Sequence, residues 1–393
     1  MPQAQELENK IASGNVAFFI EEFSFSRSEF TPLGKSELEL ADHLVVFDDV
    51  VLAYQMKERS AATSDPAAEA AWFEKKVLKK ATSQIRDTVA LLGEQDIAIR
   101  NERGHQVLLK KADPRRRLFK IVVFAPGEAL GLELRYTKAH VSKTAGFIHL
   151  IPAPEYLAML NTLVTIPEII EYLEFRQEVV EAHPEKANTL FEKAILGQYL
   201  AGTVGEPTPK FARYVDELVA DTDTFNILGI LHRFGPKTVD SRADGASLGY
   251  PENYYGVLLE LLRLTRADLV QFKQRFLLSW EGCGGEYVVP YLFGSGTTGC
   301  GFVFIPVATD HTAHYQTALN NLTRGAKHVL QVDRCIGITF RRDGSERLLD
   351  WMFLSYPWES DPEIESWLAK GSPFRTLTMR GTARYEFTSD GKK

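Results

Sequence analysis

The polar and apolar positions are most informative over residues 40–59, LADHLVVFDDVVLAYQMKER. Two apolar runs, residues 43–47 and 50–54, flank Asp48-Asp49, a pattern that predicts a β-hairpin closed by a two-residue turn. Side chains alternate faces along a strand, so Val51, Ala53, Gln55 and Lys57 share one face and Leu52, Tyr54, Met56 and Glu58 the other. Upstream, residues 1–35 predict a short helix and a strand-like aromatic run. Downstream, Asp65-Pro66 reads as an N-cap followed by the first helical residue. Phe73, Val77, Ala81, Ile85 and Val89 then recur every four residues as one buried stripe, and Gly93 reads as the helix end. QDIAIRNERGHQVLLKK predicts a second hairpin, and residues 118–124 a strand.

From about Pro152 the period turns helical, with Thr165 capping a helix that opens at Ile166-Pro167. GTVGEPTP, residues 202–209, reads as a linker. Helical stretches follow, then a glycine-rich run, then the strands CGFVFIPV and CIGITFRR. The expected organisation is a first domain over residues 1–150, a helical connector over 151–205 and an α+β domain over 206–393, its role in recognition, dimerisation or regulation left open.

Composition narrows the class. With 393 residues, 45% hydrophobic and 11% aromatic, the chain can bury large cores and is not a disordered polymer. No apolar run is long enough to span a bilayer, and MPQAQELENK holds no apolar signal core. Three cysteines make no disulfide framework, so a reducing cytoplasm is expected. Net charge is −7, yet residues 50–120 carry 15 Lys and Arg against 9 Asp and Glu, leaving −13 on the remainder. A basic segment in an acidic chain fits a localised nucleic-acid footprint and equally an ordinary charged surface.

Candidate chemistry gathers at the hairpin. An apolar strand that ends with Gln55 and Lys57 on one face is built to present them, and Asp42, opening the paired strand, can lie beside them. A carboxylate with a neighbouring carbonyl can hold Mg²⁺, a hard cation that prefers oxygen and keeps several waters. A lysine there can orient water or stabilise charge developing on a phosphate. Lys75, Lys76, Lys79, Lys80 and Arg86 give the following helix a basic surface, and Arg115, Arg116 and Arg117 form a basic loop that could grip a phosphate backbone.

This segment resembles the PD-(D/E)XK, restriction-endonuclease-like nucleases, in particular members with glutamine at the last acidic position, as in Mrr-type enzymes. The likeness covers roughly residues 10–126 and maps the first carboxylate onto Asp42, the second position onto Gln55 and the lysine onto Lys57. It implies an α/β core with a mixed central sheet flanked by helices, and Mg²⁺ or Mn²⁺ on Asp42 and Gln55. The implied activity is hydrolysis of DNA, with RNA left open, in bacterial phage defence or DNA processing. Such families often add an upstream glutamate, for which Glu21, Glu22 and Glu39 are candidates. A homodimer or a partner protein in a defence system is also implied. A non-cleaving nucleic-acid-binding or assembly subunit is the alternative, because Gln55 carries no charge. Elsewhere, GSGTTGCG lacks the lysine of a phosphate-binding loop and reads as a turn between strands. His311 and His314 lack a third ligand.

Overall fold

The computed structural model describes residues 4–19, 21–26, 29–30, 38–59, 61, 63–102, 104–219, 226–227, 229–231, 252–377 and 385–389. The chain forms two compact units, Met1–Val219 with Phe387–Lys393, and Ala220–Glu386. Residues 151–205 and the expected linker at 202–209 therefore fall inside the first unit.

The first unit is built on a six-stranded mixed sheet. Its strands are β1 (Ser24–Ser26), β2 (His43–Phe47), β3 (Val50–Lys57), β4 (Arg117–Phe124), β5 (Ala139–Ser142) and β6 (Gly146–Pro152), in the order β1-β2-β3-β4-β6-β5. The expected hairpin is β2–β3, antiparallel with Phe47 opposite Val50 and His43 opposite Tyr54. Asp48 takes φ 58° in its turn, a left-handed conformation that Asp tolerates better than most residues. Strands β3 and β4 run parallel, Val50 beside Arg117 and Lys57 beside Phe124. A parallel pair needs a long crossover, and here it contains one continuous helix: α2 (Pro66–Trp72), a π-helical stretch at Phe73–Ala81, and α3 (Thr82–Glu94). Asp65 caps it, accepting from Ala67 N at 2.9 Å, and it runs past Gly93 to Glu94.

The four-residue stripe has a physical reading. In an α-helix a four-residue repeat drifts by about 40° per step, whereas the wider i→i+5 turn of a π-helix drifts the other way. The mixture keeps Phe73, Val77, Ala81 and Ile85 pointed at Val122, Phe124, Ile148 and Leu150 in one core cluster. Gln55, Lys57, Val122 and Phe124 thus share the sheet face that this helix covers. Helices α1 (Ala4–Phe19) and α4 (Ala153–Thr162) lie on the opposite face, where Tyr54 and Tyr156 pack edge to face. Then come α5 (Ile166–Ala182), capped by Thr165, whose hydroxyl accepts from Glu168 N at 3.3 Å, and α6 (Glu192–Leu200).

The second unit holds a five-stranded sheet: β7 (Tyr291–Gly294), β8 (Cys300–Pro306), β9 (Arg334–Asp343), β10 (Glu346–Ser355) and the two-residue β11 (Arg375–Thr376), ordered β10-β9-β8-β7-β11. The glycine-rich run is the turn between β7 and β8, closed by Gly299 N to Ser295 O at 3.0 Å with Gly299 at φ 66°. Cys283, Cys300 and Cys335 are buried free thiols. Among the described residues, no helix is long and apolar enough to cross a membrane.

Candidate active site

The end of β3 carries the expected side chains, and the fold brings three together. Asp42 precedes β2, one step beyond the His43–Tyr54 pair, which places it across from Gln55. Its Oδ2 accepts from Met56 N at 2.6 Å and from Lys57 Nζ at 3.2 Å. Lys57 Nζ also donates to Gln55 Oε1 at 3.1 Å and to Met56 O at 2.8 Å. Three acceptors for three protons fix the ammonium at the strand end. Asp42 and Lys57 keep 10% and 13% side-chain exposure, so the pair reaches solvent, while Gln55 is buried. Oδ1 of Asp42 makes no hydrogen bond among the described residues.

Burial on the other face locks this strand end. The Tyr156 hydroxyl donates to Asn15 Oδ1 at 2.7 Å and lies 2.8 Å from the Tyr54 hydroxyl. Glu58 Oε2 accepts from Leu7 N at 3.0 Å in the first turn of α1. His43 neighbours Asp42 but packs against Tyr54 with the rings tilted, facing away from Gln55, and burial lowers its pKa to about 4.

Other expected residues lie elsewhere. Glu21 and Glu22 form a 3₁₀ turn after α1, and the next residue, Phe23, packs on Phe47 at 5.5 Å between ring centroids. Phe47 is at the far end of β2 from Asp42, roughly 17 Å along the strand at the usual rise, so Glu22 does not join the site. Glu39 belongs to the short strand Leu38–Glu39, and its side chain lies outside the described residues. Arg115, Arg116 and Arg117 sit where β4 begins, beside Val50 rather than Lys57, roughly 23 Å down the sheet. There Arg115 pairs with Asp113 at 3.3 Å, Arg116 donates to Leu92 O at 3.4 Å and Arg117 pairs with Glu174 at 2.5 Å. The basic loop is thus away from the site. Lys76, Lys79 and Lys80 are exposed on the π-helical stretch, whose first residue, Phe73, touches Phe124 at the site end.

Two further residues belong to this corner. Arg59 follows Lys57 by two positions, and its Nε lies 3.2 Å from Glu69 Oε1, at 24% and 0% side-chain exposure. Glu69 is one turn before Phe73 and abuts Gly127, where a Cβ would come within 2.7 Å of the carboxylate. A stripe counted from Phe73 misses Glu69, whose place four residues earlier on the same spacing is the signal that could have found it.

Among the described residues, no group of three His, Cys, Asp or Glu side chains converges to hold a metal. Asp42 and Gln55 offer one charged and one neutral oxygen, a donor set that suits a hard divalent cation retaining its waters. The chain matches no family model, no curated protein and no solved structure.

Proposed function

We propose that the chain is a metal-dependent nuclease that hydrolyses DNA phosphodiester bonds at the Asp42–Gln55–Lys57 site. The observation that carries this reading is the ammonium of Lys57 held between the Asp42 carboxylate and the Gln55 amide oxygen at a solvent-reaching strand end. Asp42 Oδ1 and Gln55 Oε1 would hold Mg²⁺ or Mn²⁺. When bound, the cation would offset phosphate charge and lower the pKa of a bound water. Lys57 is already positioned, so a phosphate oxygen or attacking water has only to exchange with one of its three acceptors. Fixed charge of this kind needs little reorganisation as the transition state forms. The exposed Lys76, Lys79 and Lys80 supply sequence-independent attraction for the backbone.

One observation favours a second reading, a nuclease-like subunit that binds without cutting: Gln55 adds no charge to the metal site. The deciding experiment incubates wild type, Asp42→Ala and Lys57→Ala with plasmid, linear and single-stranded DNA plus Mg²⁺ or Mn²⁺. Each substitution is expected to lower cleavage by at least about 10²-fold, the usual effect of losing one preorganised group, with circular dichroism unchanged. Cleavage that survives both moves the chemistry elsewhere. DNA binding without cleavage by wild type supports the second reading.

A further inference from the structure

We propose that Arg59 is a phosphate-gripping residue of this site and that the buried Glu69 is the positioning residue that holds its guanidinium ready. The inference rests on the nuclease reading and deepens it.

A guanidinium has five N–H donors. In Arg59 the single Nε proton goes to Ala61 O at 2.8 Å, and Nη1 donates to Ala68 O at 3.1 Å. Nη2 makes no hydrogen bond among the described residues. Glu69 therefore meets Arg59 by charge alone, 3.2 Å from Nε, and neither of its buried carboxylate oxygens accepts a hydrogen bond. A fully buried carboxylate without a hydrogen bond is rare and needs a reason. Holding an arginine head in one orientation is such a reason. With Nε and one Nη1 proton tied to carbonyls and the carboxylate alongside, three of the five protons, one on Nη1 and both on Nη2, remain for phosphate oxygens on a head that is held in place.

Location supports the same reading. Arg59 Cα lies no more than about 7 Å from Lys57 Cα, the reach of two residues. Gly127, three residues beyond Phe124, leaves room for Glu69 only because it has no Cβ. The Arg59 side chain keeps 24% exposure, which leaves it open to an approaching phosphate, whereas Glu69 is closed off.

The test is the salt dependence of DNA binding, read by anisotropy with a labelled duplex and the full chain, without divalent metal. Arg59→Gln is expected to weaken binding about tenfold and to lower the slope of log K against log salt by about one, the signature of one lost phosphate contact. Arg59→Lys keeps the charge and the slope but loses a few-fold in affinity, because the fork is gone. Glu69→Gln keeps the slope and weakens binding a few-fold. Should Arg59→Gln unfold by stranding Glu69, Arg59→Gln/Glu69→Gln removes both charges and is read the same way. An unchanged slope in a folded Arg59→Gln or double variant, with wild type still cutting DNA, overturns this inference and leaves the nuclease reading standing. A wild type that neither binds nor cuts DNA overturns both.

Discussion

Two polar clusters lie on opposite faces of the same sheet, and they use their donors differently. On one face, Asp42, Gln55 and Lys57 meet at a strand end with 10–13% exposure for the ion pair. On the other, Arg176 of α5 is wholly buried. Its guanidinium donates to both oxygens of Glu192, at 2.5 and 3.1 Å, to Lys138 O and Leu150 O at 3.0 Å, and to His149 Nδ1 at 3.1 Å. All five donors are spent on protein. Lys138 Nζ, also buried, lies 3.4 Å from Glu192 and 4.0 Å from Glu155. Burial opposes charge on Glu192, but the facing Arg176 and Lys138 prevail and take its pKa down to about 2. The enclosed cluster ties α5 and α6 to the sheet; Lys138 Nζ makes no hydrogen bond, but it is wholly buried and out of a substrate's reach. The open one keeps free capacity at Asp42 Oδ1 and, next door, at Arg59 Nη2. Equal density of charge therefore does not mark a site; unspent capacity facing solvent does.

The sharpest way to break this contrast is to remove one charge from each cluster and compare stability. Arg176→Met leaves Glu192 buried with only the Lys138 charge and the Tyr172 hydroxyl beside it. Breaking a buried pair in this way typically costs about 3–5 kcal/mol. Lys57→Ala removes a pair that keeps 10–13% exposure, so water can reach the stranded Asp42 and the loss should be smaller, about 1–2 kcal/mol. Urea unfolding of the full chain, following the transition of the first unit, should show the larger loss for Arg176→Met and the smaller one for Lys57→Ala. Similar losses would mean that both clusters are structural.

Acid provides the next test. His43 is buried and its pKa is lowered to about 4 from 6.5. His149 is also held well below that value, first by burial and then by the Arg176 charge. A depressed histidine binds its proton more readily in the unfolded chain. Its contribution to stability is therefore complete above pH 6.5 and is lost as pH falls towards 4, about 3 kcal/mol for a shift of this size. His43→Phe should remove one of the protons taken up on unfolding. The slope of stability against pH near 5.5 should then fall by about 1.4 kcal/mol per pH unit. An unchanged slope would show that His43 is not held neutral by its enclosure.

Much of the open cluster was legible in the chain, and little of the closed one. Residues 40–59 announced the hairpin and the shared face of Gln55 and Lys57 because period-two alternation and a two-residue turn are local. Asp65 and Thr165 were legible as caps for the same reason. The four-residue stripe held the trace of the π-helical stretch, since a plain α-helix would not keep it straight. The parallel register of β3 and β4 is not local, and it alone places Arg115–Arg117 at the wrong end of the sheet. Glu22 was misplaced likewise, because antiparallel pairing sets the start of β1, and Glu22 before it, toward the end of β2 far from Asp42. Arg176, Glu192 and Lys138 read as ordinary polar positions, because what buries them is the packing of α5 and α6 on the sheet edge.

The smallest expected effect is the one that sharpens the meaning of Gln55. Its Oε1 lies 3.1 Å from Lys57 Nζ, so Gln55→Glu puts a carboxylate where an amide oxygen now sits, with a cation already beside it. That neighbour offsets the cost of charging a buried position, and stability should change by no more than about 1 kcal/mol. A second carboxylate suits a hard cation better than an amide. On the proposed nuclease reading, the Mg²⁺ concentration for half-maximal DNA cleavage should accordingly fall about tenfold, a gain of about 1.4 kcal/mol. If the Mg²⁺ dependence does not move while Gln55→Ala still slows cleavage, Gln55 serves only to hold Lys57. The strand end would then resemble the enclosed cluster in that respect, an amide spent on positioning, and the metal would depend on Asp42 and its waters alone.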